Sequence, residues 1–331
     1  MRPSAEFAVY LALLGVAIAL PLVGAYPVFV MKVLCFALFA CAFNLLIGFT
    51  GLLSFGHAAF FGGAAYFAGY ALKTLGLPTP AGLLVGLAAG AVLGVLMGGL
   101  AIRRSGIYFS MITLALAQML YFFFLQAPFT GGEDGLQGVP RGSVLGLDLT
   151  SDLSLYYLVL AVFVFGFLAI HRTVHSPFGQ VLKAIRENEP RAISLGYNTA
   201  RFKLLAFVLS AALAGLAGAT KTLVLGFATL TDAHWSTSGL VILMVLVGGM
   251  GTMLGPIVGA IVIVALENKV GDIGAWLARV TGVEWFAGLG EAVTIVTGLI
   301  FVLCVMAFRR GIVGEFAARW TGSQKPALSG K

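Results

Sequence analysis

The chain has 331 residues, of which 60% are apolar or aromatic and only 10% charged, where soluble domains carry about 25% charge. Its 20 Lys and Arg and 13 Asp and Glu residues cannot solvate the surface of a globule this size, and the mean hydropathy of +1.02 likewise excludes a water-soluble protein. The net charge of +7 is spread over short segments between apolar runs, which argues against a nucleic-acid surface and for a polytopic helical membrane protein oriented by its basic loops.

A spanning helix needs about 20 apolar residues, so uncharged intervals mark the expected spans. The first, 7–31, follows one Arg and contains Ala-Ile-Ala at 17–19; with more apolar segments behind it, it reads as an uncleaved span and not as a signal peptide. The next, 33–72, is forty residues with only His57 as a potential cation. It is too long for one span at 1.5 Å rise per residue, so a turn is expected near 48–51. Asn44, Thr50, Ser54 and His57 are its polar cluster, with Ser54 and His57 at i,i+3 on one expected helix face. Polar groups at depth face the bundle interior, which makes these four candidates for a translocation pathway. For His57 a structural hydrogen bond between helices is the other reading.

Segment 74–102 carries Gly82, Gly86, Gly90, Gly94 and Gly98 at four-residue spacing. This ridge of small residues predicts close helix packing, within the subunit or against a second one. Segment 105–132 holds Thr113 and Gln118, which take the same two readings as His57. The connection 126–152 has only Arg141 against Glu133, Asp134, Asp148 and Asp152, so it is expected outside. Glu133 and Asp134 are candidates there for docking a binding protein, or members of a plain Gly-rich turn. After the span 153–170, the stretch 171–203 holds Arg172, Lys183, Arg186, Arg191, Arg201 and Lys203 against Glu187 and Glu189. It is expected in the cytoplasm, as are Arg103, Arg104 and the tail 309–331 with Arg309, Arg310, Arg319, Lys325 and Lys331.

Segments 204–220, 233–266 and 292–308 bring the total to about nine. Nine full spans would place the tail outside, so one segment must be irregular. The best candidate is 240–266, where GGMGTMLGP at 248–256 divides the run into two arms too short to span. A re-entrant hairpin there would make Gly248, Gly249 and Gly251 candidate pathway lining; the alternative is a Gly-Pro kink in one long tilted helix. Thr294 and Thr297 are expected to bond helix to helix. Cys35, Cys41 and Cys304 lie in apolar runs without a ligand spacing, so packing is expected and no metal site.

The stretch SPFGQVLKAIRENEPRAISLGYNTARFK at 176–203 is amphipathic and too polar for the membrane. Ser176 can cap and Pro177 can open a helix, Lys183 and Glu187 are spaced for an i,i+4 pair, and Asn188 with Pro190 starts a second short helix that Gly196 ends. The product is a helical elbow, read either as a docking element for a partner or as a helix on the anionic membrane leaflet.

NLLIGFTGLLSFGHAAFFGGAAY (44–66), GIYFSMITLALAQ (106–118), FTGGEDGLQGVPR (129–141), the elbow at 176–198, KLLAFVLSAALAGLAGA (203–219) and VGGMGTMLGPIVGA (247–260) together resemble the LivM-type permeases of branched-chain amino acid ABC importers. The elbow resembles the coupling loop of such importers. The resemblance implies an all-α polytopic bundle of about 8–10 transmembrane helices, in a single domain over 1–331, with a broken or re-entrant segment and a cytoplasmic coupling helix. It also implies a bacterial inner-membrane half-transporter that pairs with a LivH-like second permease, two LivG- and LivF-like ATPases using ATP and Mg, and a periplasmic binding protein. A small zwitterion with an aliphatic side chain, Leu, Ile or Val, would be the substrate. On this reading Phe178, Gly179, Ala184, Arg186, Glu187, Asn188 and Gly196 couple the chain to the ATPases. The sequence departs from the importers' EAA-and-glycine pattern, with Pro190, Arg191 and Ala192 ahead of Gly196.

No G-x-x-x-x-G-K followed by Ser or Thr, HExxH or GxSxG is present. The chain is therefore expected to be no enzyme, to hold no cofactor of its own and to leave ATP hydrolysis to its partners. Two rivals remain: the same machine carrying urea, short amides or other small amino acids, and an ion-coupled secondary carrier. The second would need intramembrane carboxylates, and only Glu267 and Glu291, at segment ends, come close.

Overall fold

The computed structural model describes residues 3–281 except 25 and 145, positions 295, 298, 299, 302 and 306, and 311–320. Glu291, Thr294, Thr297, Cys304, Arg309, Arg310, Lys325 and Lys331 lie outside the described residues.

The chain is almost entirely helical. Helix α1 (Pro3–Ala19) leads through a 3-10 turn into α2 (Pro27–Thr50), followed by α3 (His57–Lys73), α4 (Thr79–Ala101), α5 (Ile107–Gln126) and α6 (Asp152–His175). Two short helices, α7 (Pro177–Glu187) and α8 (Glu189–Ser194), precede α9 (Thr199–Leu225), the single turn α10 (Leu230–Ala233), α11 (Trp235–Gly248) and α12 (Gly255–Thr281); Gly311–Trp320 is a further helix. Among the described residues five helices, α2, α4, α5, α6 and α9, are long and apolar enough to cross a membrane. The protein is a multi-pass membrane protein.

Proline and glycine set the first boundaries, where charge alone misplaces them. The expected first span at 7–31 is cut at Leu20–Val23, where Pro21, a left-handed Gly24 and Pro27 end one helix and start the next. Lys32, taken as a boundary, lies inside α2. The turn expected at 48–51 is present: α2 ends at Thr50, and Gly51 adopts φ +78° as its C-cap, a conformation that favours glycine. The run 240–266 is a hairpin and not a kinked rod, because α11 and α12 fold back on each other and a side chain on Gly248 or Gly259 would collide with the facing backbone. Its second arm is longer than expected, 27 residues, since Glu267 and Lys269 interrupt the apolar run without breaking the helix.

Helices α2 and α9 form the centre, with 83% and 72% of their spans buried against 28% for α5 and 33% for α6. The glycine ridge of α4 faces inward onto α9 and α3. Gly86 and Gly90 lie against Gly215 and Ala211, Gly94 against Ala211 and Val208, Gly98 against Phe207 and Leu204, and Gly82 against Leu72. The ridge is thus internal, and it is not a face for a second subunit. At one end of the bundle the loop 126–152 is held by Arg141, which pairs with Asp152 at 2.6 Å, and by the strand Leu136–Gln137, which runs antiparallel to Phe227–Ala228. The elbow, α7 with α8, closes the other end.

Candidate translocation and coupling site

Two breaks in helical structure meet the elbow. The first is the non-helical segment 51–56 between α2 and α3. Backbone without helical partners inside a bundle needs other donors and acceptors, and α5 and α11 supply them. Ser110 Oγ donates to the Leu53 carbonyl at 2.6 Å, and Thr113 Oγ1 accepts from the Phe55 amide at 3.2 Å. Ser238 Oγ accepts from the Ala58 amide at 2.9 Å, which caps α3 from a distant helix. Ser54 lies in this extended segment, where its Oγ accepts from the Gly56 amide. It therefore does not share a helix face with His57, because α3 begins only at His57.

The second break is 249–254, between α11 and α12. Asn44 spans to it from α2: its Nδ2 donates to the Thr252 carbonyl and its Oδ1 accepts from the Gly251 amide, both at 2.9 Å. Thr252 Oγ1 accepts in turn from the Gly255 amide at 3.0 Å and starts α12. The approach is possible only because Gly48 lacks a side chain; a Cβ there would lie 2.8 Å from the Gly251 nitrogen. Gly251 has φ +78° and Gly249 lies against the backbone of Gly311, so the helix Gly311–Trp320 rests on the same break.

The elbow folds largely as its sequence predicts. Ser176 Oγ accepts from the Gly179 amide at 3.3 Å, Asn188 Oδ1 accepts from the Arg191 amide at 3.0 Å, and Gly196 ends the second helix at φ +87°. Gly179 is packed under the Thr173 and Val174 carbonyls, and Phe178 stacks on Phe202 at 5.5 Å. Ala184, Glu187 and Asn188 are exposed. The expected Lys183–Glu187 pair is replaced: Lys183 Nζ lies 5.8 Å from the centre of the Phe49 ring, a cation–π contact.

Arg186 is also exposed, and its Nη1 donates to the Gly48 carbonyl at the end of α2. A Cβ on Gly51 or Gly251 would stand 3.1 or 3.3 Å from the Arg186 side chain. Arg186 is thus hydrogen-bonded to the end of α2 and lies against Gly51 and Gly251 at both breaks. Beside it Lys203 pairs with Glu189 at 2.5 Å and ties α8 to α9. Thr50, Gly51, Ser105, Gly106, Arg186 and Lys203 line a cleft of about 200 Å³ at this end.

The other polar candidates separate. His57 is fully buried between Phe43, Phe60 and Phe207. Ser210 Oγ donates to the Ala42 carbonyl at 2.6 Å, so its oxygen accepts from His57 Nε2 at 2.8 Å; the histidine joins α3 to α9 and α2. Thr50 bonds back to Leu45 within its own helix. Gln118 stands apart, with a buried Oε1 that has no partner. Glu133 and Asp134 are exposed at the tip of the loop.

Sequence reasoning missed Ser110, Ser210, Ser238 and Thr252, since lone hydroxyls in apolar runs carry no spacing signal. The uncharged intervals 204–220 and 233–266 leave Lys221 and Asp232 just outside the expected spans. Lys221 in fact lies inside α9, and both side chains are buried. Among the described residues no group of three or more His, Cys, Asp or Glu is placed to hold a metal.

A family model for the permease component of branched-chain amino acid transport systems matches residues 27–307, which include both breaks and the elbow. The chain belongs to that family. The permease is 29% identical over 223 residues to the high-affinity branched-chain amino acid transport system permease protein LivM of Escherichia coli K12, and 28% identical to LivM of Salmonella typhimurium LT2. In each case the match covers 60% of this chain and 52% of the relative, so the permease aligns with about half the length of either. No solved structure matches it.

Proposed function

We propose that this permease is the membrane half of an ATP-driven importer for branched-chain amino acids in a bacterial inner membrane. It would work with a second permease, two ATPases that bind ATP and Mg, and a periplasmic binding protein, as the LivM-like family suggests. The elbow then faces the cytoplasm and the loop 126–152 the outside, in keeping with their basic and acidic charge.

One observation carries the mechanism: Arg186 joins the elbow to the Gly48 carbonyl and packs against Gly51 and Gly251. ATPases closing on the exposed Ala184, Glu187 and Asn188 move α7. Arg186 passes that motion to the end of α2, and Asn44 passes it on to the second break. Both breaks are non-helical backbone clamped by side chains, so they can be re-paired without unwinding a helix, as a gate requires.

Arg186→Ala tests this reading in proteoliposomes containing the complete importer. The expected result is leucine uptake lowered about tenfold, with ATP hydrolysis retained and Arg186→Lys intermediate, because only one charge-assisted hydrogen bond is removed. Unchanged uptake would remove Arg186 from the coupling path.

A further inference from the structure

The end of the bundle opposite the elbow holds an ion pair that the coupling mechanism does not use. Lys221 lies about one turn from the end of α9, and its Nζ bonds the Asp232 carboxylate on α10. The two side chains are only 8% and 7% exposed. The second Asp232 oxygen accepts from Thr229 Oγ1 at 3.2 Å, and Lys221 Nζ lies 5.9 Å from the centre of the Phe61 ring. Tyr66 is wholly buried and stacked on Phe124, and its hydroxyl has no hydrogen-bond partner; it lies one turn along α3 from Gly62, which packs against the backbone of Asp232.

Stability does not explain this arrangement. A buried ion pair is about as stable as an apolar pair of the same volume, and charges kept inside a membrane bundle mark sites of function. An unpartnered Tyr hydroxyl is a donor without an acceptor. The pair also sits where the outer loop can reach it. Strand Leu136–Gln137 of that loop pairs with Phe227–Ala228, which only Thr229 separates from α10, and α10 packs so closely on α3 that a side chain on Gly62 would meet the backbone of Asp232 and Ala233.

We propose that Lys221, Asp232 and Tyr66 form a binding site for the ammonium and carboxylate groups of a zwitterionic amino acid, entered from the loop end by exchange with the resident ion pair. The ammonium of the substrate replaces Lys221 at Asp232. Its carboxylate takes Lys221 and the Tyr66 hydroxyl. One ion pair becomes two, and no charge is left unpaired in the apolar surroundings at either end of the exchange. Urea and short neutral amides carry neither charge and cannot make it, so the site selects amino acids. This inference rests on the amino-acid reading above.

The test is uptake of radiolabelled leucine, and separately of radiolabelled urea, by proteoliposomes holding the complete importer at saturating loaded binding protein. Size-exclusion chromatography checks assembly of each variant. K221M/D232N exchanges the pair for uncharged side chains of similar size, and its leucine uptake is expected to fall at least about tenfold. Tyr66→Phe, which removes a hydroxyl that has no partner, is expected to lower uptake about three- to tenfold. Should the double variant fail to assemble, Tyr66→Phe decides alone. Leucine uptake by wild type with either assembled variant unimpaired would overturn this site and leave the importer reading intact. Urea uptake without leucine uptake by wild type would remove the amino-acid reading, and this site with it.

Discussion

The α4–α9 seam and the junction of α2, the elbow and 249–254 solve the same problem, bringing backbones close, in opposite ways. Along the seam both helices are complete and small residues do the packing: a Cβ on Gly215 would stand 2.6 Å from the Gly86 carbonyl and 2.9 Å from the Gly90 Cα. Nothing there needs a polar side chain, because every helical amide is satisfied within its own helix. At the junction two helices are interrupted, and Asn44, Thr252 and Arg186 take over the exposed amides and carbonyls. The seam is fixed by shape and has one arrangement. The junction is held by a few exchangeable hydrogen bonds, which suits it to the gate proposed above.

The largest effect is expected at the seam. Gly215→Val places two methyl groups into backbone and is expected to cost about 3 kcal/mol or more, read as loss of folded permease on size-exclusion chromatography. Asn44→Leu, at the junction, strands the Gly251 amide and the Thr252 carbonyl and is expected to cost about 2–4 kcal/mol in a detergent unfolding titration. Asn44→Asp keeps the acceptor for Gly251 but faces the Thr252 carbonyl with a buried carboxylate, so it should recover little of that. His57→Phe keeps the ring between its aromatic neighbours and loses one hydrogen bond, for about 1 kcal/mol. If Asn44→Leu unfolds the permease no more readily than His57→Phe, the junction is not held by its amide.

Smaller effects belong to the outer loop. E133Q/D134N changes exposed carboxylates and should leave stability within about 0.5 kcal/mol. If these acids hold the binding protein, the variant weakens its capture severalfold at low salt and less at high salt. Asp148 accepts from the Thr150 hydroxyl at 2.7 Å and amide at 3.0 Å, and these bonds lower its pKa below the usual carboxylate value. The ordering of this turn is therefore fully present above that usual value and is lost as pH falls through the lowered one. Hydrogen exchange at Thr150 across the acid range checks the sign, and Asp148→Asn removes the dependence.

The elbow was the most legible part of the site, since Ser176, Pro177, Asn188 and Gly196 carry their structural meaning locally, through caps and a left-handed glycine. The turn at Gly51 and the break at 248–256 were legible for the same reason. Ser54 was misplaced onto a helix because nothing local tells a residue after a helix end that the next helix starts three positions later. Uncharged intervals stop at Lys221 and Asp232 because each charge is counted alone, while burial is affordable only to the pair.

By itself the sequence determined that this chain lies in a membrane, where most of its helices turn and what the elbow looks like, because hydropathy, proline, glycine and capping act over a few residues. Only the tertiary structure decided that the glycine ridge faces inward, that Arg186 lies against both breaks and that Lys221 meets Asp232. Each of those depends on partners far along the chain, such as Asn44 with Gly251 or Gly90 with Gly215. In lipid it is the packing of complete helices that brings such partners together.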